Sequence, residues 1–241
     1  IPAAEISRVA AQIPLLAIVD GDARGISADL YLDQNLGADS RYGNLPADRL
    51  LLGPRYALVR DAFGAAKRRA RSGSTGVPRV SAFMGGTDPS GVIVEVARQL
   101  SRVEAEFSVT AIAAESFHSQ IRDALPGAEL VLPTPNLPEL LGRSDVIVSA
   151  AGTSAWDVCT LGVPAFFVGV VENQSDSLAA LVDGGFALGV DLWKGGSIDE
   201  LSGGVTRLLA DATLREQLTQ RCAEQFDGLG KRRVVSAMTS L

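Results

Sequence analysis

The sequence predicts an α/β protein whose sheets are parallel and covered by helices on both faces. Short continuous apolar runs such as VIVSA and AFFVG alternate with helical stretches of ~10–15 residues, the spacing of βαβ units. The runs lack polar alternation, as strands buried on both faces do. Several of them end in glycine and small hydroxyl residues, as in AAGTS and MGGTD.

In chain order, Pro14–Val19 reads as the first strand, ending in Asp20-Gly21-Asp22, and Ala28–Leu32 as the second. RLLLGPRYALVR is interrupted at Gly53-Pro54, and Asp61–Ser72 turns helical and basic. The stretch GSTGVP, Gly73–Pro78, has the composition of a linker. Beyond it the alternation is regular. Strands are expected at Arg79–Met84, Phe107–Ala113, Glu129–Leu132, Asp145–Ala150 and Ala165–Val170, with a last short one at Phe186–Val190. Helices follow at Val92–Val103, Ser116–Leu125, Leu137–Arg143, after Gly152, and at Ser175–Asp183. The remainder reads as helix: Ile198–Leu209, Ala212–Phe226 and Leu229–Met238. The linker thus divides a partial first domain, residues 1–72, from a complete second one, residues 73–228. The chain starts at Ile1 without a basic leader or cleavage pattern, which gives the expectation that it begins inside a longer protein.

Composition narrows the function. Of the 241 residues 46% are hydrophobic, enough for a sizeable core, and the formal net charge is -6. That balance argues against a nucleic-acid partner, which favours a basic face. No apolar run approaches the ~20 residues of a membrane span. The two cysteines, Cys159 and Cys222, form no CxxC pair and suit a reducing, cytoplasmic setting. No metal-ligand spacing and no GxSxG are present, so neither a metal nor another cofactor is expected.

In parallel sheets ligands bind outside the carboxyl ends of the strands. Three such ends carry candidate loops. MGGTDPSG places Gly85, Gly86 and Thr87 before a helix whose N-terminal amides suit a phosphate; the alternative is an ordinary turn capped by Thr87 or Asp88. SAAGTSAWDV places Gly152, Thr153 and Ser154 at a second helix start, with Asp157 on the same side as a candidate ribose acceptor; the alternative is a capping box, Ser154 to Asp157. VENQSD offers the amides of Asn173 and Gln174 to a sugar, or serves as a loop and cap. Three loops converging on one crevice favour a nucleotide-sugar site over three separate caps. His118 reads as a solvated histidine, Trp156 and Trp193 as packing residues, Cys159 as a core thiol, and KRRAR and KRR as solvated basic runs.

Five ordered blocks carry a resemblance: GPRYALVRDAF, MGGTDPSG, SAAGTSAWDVCTLGVP, ENQ and DGLGKRRV. Together they resemble the UDP-sugar hydrolases of the pseudaminic acid pathway and the related spore-coat polysaccharide proteins. Those are similar in fold to the UDP-sugar glycosyltransferases that make lipid II, with the two-domain GT-B architecture. The resemblance implies two Rossmann-like domains, the first incomplete here, with the last helix from Leu229 folding back on it. It implies release of UDP from a 2,4-diacetamido-2,4,6-trideoxy sugar by water attack at the anomeric carbon. Gly85, Gly86 and Thr87 would line the phosphate side, and Gly152, Thr153 and Ser154 would hold the diphosphate. Asp157 would stand for a ribose-binding glutamate one methylene longer. Asn173 and Gln174 would face the sugar and its phosphate, Val131–Leu132 the uracil, and Tyr56 would lie near the domain crossing. The family's general base, a histidine in a glycine-rich loop, has no counterpart here; His118 matches it in neither context nor position, so the base is expected before Ile1. A glycosyltransferase on the same scaffold and a non-catalytic binding module are the alternatives.

Overall fold

The computed structural model of the chain describes residues 5, 6, 8, 12–67, 76–86 and 88–241. Thr87, the basic run beyond Lys67 and the first half of the GSTGVP stretch lie outside these residues. The chain divides into two compact units, residues 1–59 with 225–241, and residues 60–224. The division therefore falls at Val59-Arg60 and not at the glycine-serine stretch.

In the first unit the strands β1 (Leu16–Ile18), β2 (Leu30–Asp33) and β3 (Leu50–Leu52) form a parallel sheet in that order. Leu30, Leu32 and Leu51 pack with Val234 of the C-terminal helix, Gly230–Met238. Gly230 makes that packing feasible: a Cβ there would lie 2.3 Å from the Ala57 carbonyl oxygen. Arg233 locks the helix start, donating to the Arg55 carbonyl and to the carboxylate of Asp227. Asp33 is fully buried at the end of β2. It accepts the amides of Gly21 and Asn35 and the Tyr42 hydroxyl, the last at 2.8 Å. Burial and the bond to Asp33 raise the Tyr42 pKa well above its ordinary value.

The second unit opens with helix α1 (Asp61–Lys67) and then alternates strand and helix. Its elements are β4 (Arg79–Phe83), α2 (Val92–Leu100), β5 (Ser108–Ile112), α3 (His118–Ala124), β6 (Glu129–Val131) and α4 (Leu137–Leu141). They continue with β7 (Val146–Ala150), α5 (Ser154–Leu161), β8 (Ala165–Gly169), α6 (Ser175–Asp183), β9 (Leu188–Asp191), α7 (Glu200–Ala210) and α8 (Ala212–Gln225). The strand order is β6-β5-β4-β7-β8-β9, parallel throughout. The order reverses between β4 and β7, which makes their carboxyl ends the switch point of a doubly wound sheet.

Sequence explains why these strands take the centre. β7 and β8 are buried at every position, as their unbroken apolar character requires. Phe167 is fully buried, and Phe166 lies so close to α7 that a Cβ on Gly204 would meet its ring at 2.2 Å. Helix α2 turns Ile93, Val96, Ala97 and Leu100 into the core, the i, i+3, i+4, i+7 stripe of an amphipathic helix. Trp156 is buried as expected, but Trp193 is 57% exposed and is no packing residue. It lies in the turn over 192–195 that follows β9.

Candidate functional site

A cleft of about 390 Å³ opens at the switch point, wholly inside the second unit. Its floor is the carboxyl ends of β4 and β5, with Met84, Gly85 and Gly86 from one and Ile112, Ala113 and Ala114 from the other. One wall is Thr153, Ser154 and Asp157 at the start of α5. The opposite wall is Phe117, Pro133, Thr134 and Leu137, mainly apolar. Arg60, Phe83, Asp88 and Ile93 complete the lining.

The first loop departs from expectation. Gly85 and Gly86 line the cleft, Gly85 at φ 80°, a left-handed conformation that glycine tolerates. The helix start behind them is not open to a phosphate, however. Asp88 accepts the amides of Val92 and Ile93 at 3.0 and 2.9 Å, so a carboxylate already sits on the positive end of α2. Asp88 itself has φ 36°. The helix begins at Val92, three residues beyond Pro89, so the proline stands in the turn and not at the first helical position.

The second loop is open. The capping box expected from Ser154 to Asp157 does not form: Ser154 is already the first residue of α5, and Thr153, which precedes it, makes no side-chain cap hydrogen bond. Asp157 turns to Arg60 instead. One Asp157 oxygen accepts the Arg60 Nε and Nη2 at 3.1 and 2.8 Å, and the other accepts the Arg60 amide at 3.3 Å. The guanidinium also covers the ring of Phe63 at 4.6 Å. The Arg60 side chain is 58% exposed and that of Asp157 11%. A buried carboxylate thus fixes a solvent-facing cation at the mouth of the cleft, beside the Thr153 and Ser154 hydroxyls. Ribose hydroxyls approaching Asp157 would share it with Arg60.

Other expected residues fall elsewhere. Gly152 lies behind the cleft, where the Gln174 amide nitrogen is 3.5 Å from the place of a Cβ. Gln174 is used as a clamp, its Oε1 accepting the Val170 amide at 2.8 Å, and it does not line the cleft. Asn173 is exposed and also outside the lining. Leu132 is 52% exposed and outside the lining; the next two residues, Pro133 and Thr134, line the cleft. Thr87 lies outside the described residues. His118 is half-buried, its Nε2 3.1 Å from the Ala113 carbonyl, so it steadies the cleft floor from behind.

Sequence reasoning missed Arg60 and Phe117. Arg60 stood inside a quoted block, yet its pairing with a carboxylate 97 positions away has no local signal. Phe117 falls within the helix expected at Ser116–Leu125; it sits instead in a 3-10 turn, packed against Gly91.

The cleft lies at the reversal of a β6-β5-β4-β7-β8-β9 sheet, and solved structures share the fold. MurG of Acinetobacter baumannii superposes with a TM-score of 0.70 at 15% identity, over 98% of this chain and 69% of its own. The fold is that of GT-B glycosyltransferases and epimerases. A co-structure of S. aureus MnaA with UDP gives 0.61 at 15% identity, over 86% of this chain and 59% of its own. No family model matches the chain. The spore coat polysaccharide biosynthesis protein SpsG of Bacillus subtilis (strain 168) is 24% identical over 232 residues, 93% of this chain. The chain spans 65% of that relative's length.

Proposed function

We propose that this chain carries the UDP-binding part of a UDP-sugar-processing enzyme of surface polysaccharide biosynthesis. The observation that carries the reading is the Arg60 guanidinium, held by Asp157 at the mouth of a switch-point cleft and next to the α5 N-terminus. A diphosphate suits that place: a fixed cation, two hydroxyls and the positive end of a helix converge there. The apolar wall of Phe117, Pro133 and Leu137 suits a flat nucleobase. The likeness to SpsG and the UDP-bound MnaA relative support the choice of nucleotide and pathway.

The reaction we infer is hydrolysis of a UDP-linked 2,4-diacetamido-2,4,6-trideoxyhexose. A water oxygen bonds to the anomeric carbon and gives up a proton to a general base, the bond from that carbon to the phosphate oxygen breaks, and UDP leaves with the electron pair. The second unit serves the leaving group. Negative charge grows on the diphosphate as the bond breaks, and Arg60 and the α5 amides are oriented to meet it. Binding energy on UDP fixes the anomeric carbon for attack. The test is to incubate the protein with UDP-sugars and follow UDP. Release without an acceptor is the expected result; release only on adding a sugar or lipid acceptor would replace hydrolysis by transfer.

A further inference from the structure

Two carboxylates line the cleft among the described residues, Asp88 and Asp157. They differ in what they can still accept. A carboxylate offers about four lone-pair positions, shared equally between its oxygens. On Asp157, Oδ2 takes both the Nε and the Nη2 of Arg60, and Oδ1 takes the Arg60 amide. What remains is a single position on Oδ1. On Asp88, Oδ1 takes the Val92 amide and Oδ2 the Ile93 amide. Each Asp88 oxygen therefore keeps a free position, and the two α2 amides hold the carboxylate still. The residue is half-buried. Its surroundings place it as well. Asp88 follows Gly85 and Gly86 of the cleft floor, and its carbonyl accepts the Gly91 amide at 3.0 Å. Gly91 lies against Phe117 of the apolar wall, where a Cβ would meet the ring at 2.9 Å. Asp88 thus stands where the floor meets the wall that suits the nucleobase.

We propose that Asp88, and not Asp157, receives the vicinal hydroxyls of the nucleotide ribose, and so selects ribonucleotides over 2′-deoxyribonucleotides. The proposal rests on the UDP reading above. A ribose donates from two adjacent hydroxyls, and a free position on each oxygen of one carboxylate matches that pair. Asp157 can meet one such donor; a second would have to displace a bond to Arg60. Asp157 therefore fixes the cation for the diphosphate, and Asp88 reads the sugar. The chain of atoms in the ligand agrees with this. Ribose joins the base to the diphosphate, so a base on the Phe117 wall and a diphosphate at Arg60 carry the ribose across the floor, beside Asp88.

The test is calorimetric titration of the full chain with UDP and with 2′-deoxy-UDP, unaltered and as Asp88→Asn and Asp157→Asn. Asparagine tolerates the left-handed backbone at 88, φ 36°, and keeps one oxygen for an α2 amide. The unaltered chain is expected to bind UDP at least ~10-fold more tightly than 2′-deoxy-UDP, as loss of a hydrogen bond to a charged group requires. Asp88→Asn should bring that ratio below ~3-fold, whereas Asp157→Asn should weaken both ligands alike and keep it. A merely structural role for Asp88 would lower both affinities together without moving the ratio, and that result overturns the proposal. Equal affinity of the unaltered chain for the two nucleotides also overturns it, and this arm needs no substitution. So does a ratio lost in Asp157→Asn and kept in Asp88→Asn. Failure of the UDP reading is a different result: neither nucleotide binds, and the proposal falls with it.

Discussion

Asp157 and Arg60 show how one long-range pair redirects a loop. From sequence, Asp157 was a cap or a ribose acceptor; in the fold both of its oxygens go to Arg60. A charge-assisted hydrogen bond contributes ~1.5–3 kcal/mol where it is shielded, and less in a pair as open as this one. Arg60 should therefore matter more to ligand than to fold. Arg60→Ala is expected to weaken UDP binding by ~10–100-fold while the thermal midpoint changes little, read by calorimetry and circular dichroism. Asp157→Asn should weaken it less, since the cation remains but loses its fixed position. Equal affinity in the Arg60 variant would remove the guanidinium from the site. The same contrast appears at Asp88, whose carboxylate takes two α2 amides. Residue types told where polar groups gather, but not which of them satisfy one another.

At the scale of elements the sequence was far more legible. Strands announced themselves because a strand buried on both faces must be apolar throughout, and β4, β5, β7 and β8 fall inside the expected stretches. Helix starts were harder, since α2 is capped from four residues away and Glu115–Phe117 forms a 3-10 turn before α3. Close approaches were invisible until the partner was known. Gly230 is one: a Cβ would stand 2.3 Å from the Ala57 carbonyl and 2.5 Å from the Tyr56 carbonyl carbon, both backbone. Gly230→Ala should cost ~1–3 kcal/mol, seen as a lower urea midpoint, whereas Gly203→Ala, with open space at its Cβ, should not. In β8, Phe167→Ala should cost ~3–5 kcal/mol, since the ring is fully buried.

For the whole molecule, two groups tie stability to alkaline pH. Cys159 in the second unit and Tyr42 in the first are both raised above their ordinary values of 9.0 and 10.0. A raised pKa means that the folded state keeps a proton the unfolded state releases. Their contribution is thus complete below pH 9.0 and declines as pH rises from there toward the folded values. Chemical denaturation from pH 7 upward should show falling stability above that point, and Cys159→Ala should flatten the first part of the fall. The parallel α/β class was readable from alternation alone, but the switch point was not, because strand order depends on which crossovers the packed helices permit. It is that order which brings Gly85, Ser154 and Thr134 to one cleft.

The central claim is that this cleft holds UDP through Arg60. Isothermal titration of the chain with UDP measures it most directly. Saturable one-to-one binding, weakened at least ~10-fold by Arg60→Ala, is the predicted result. Absence of binding, or binding that the substitution leaves intact, would contradict it.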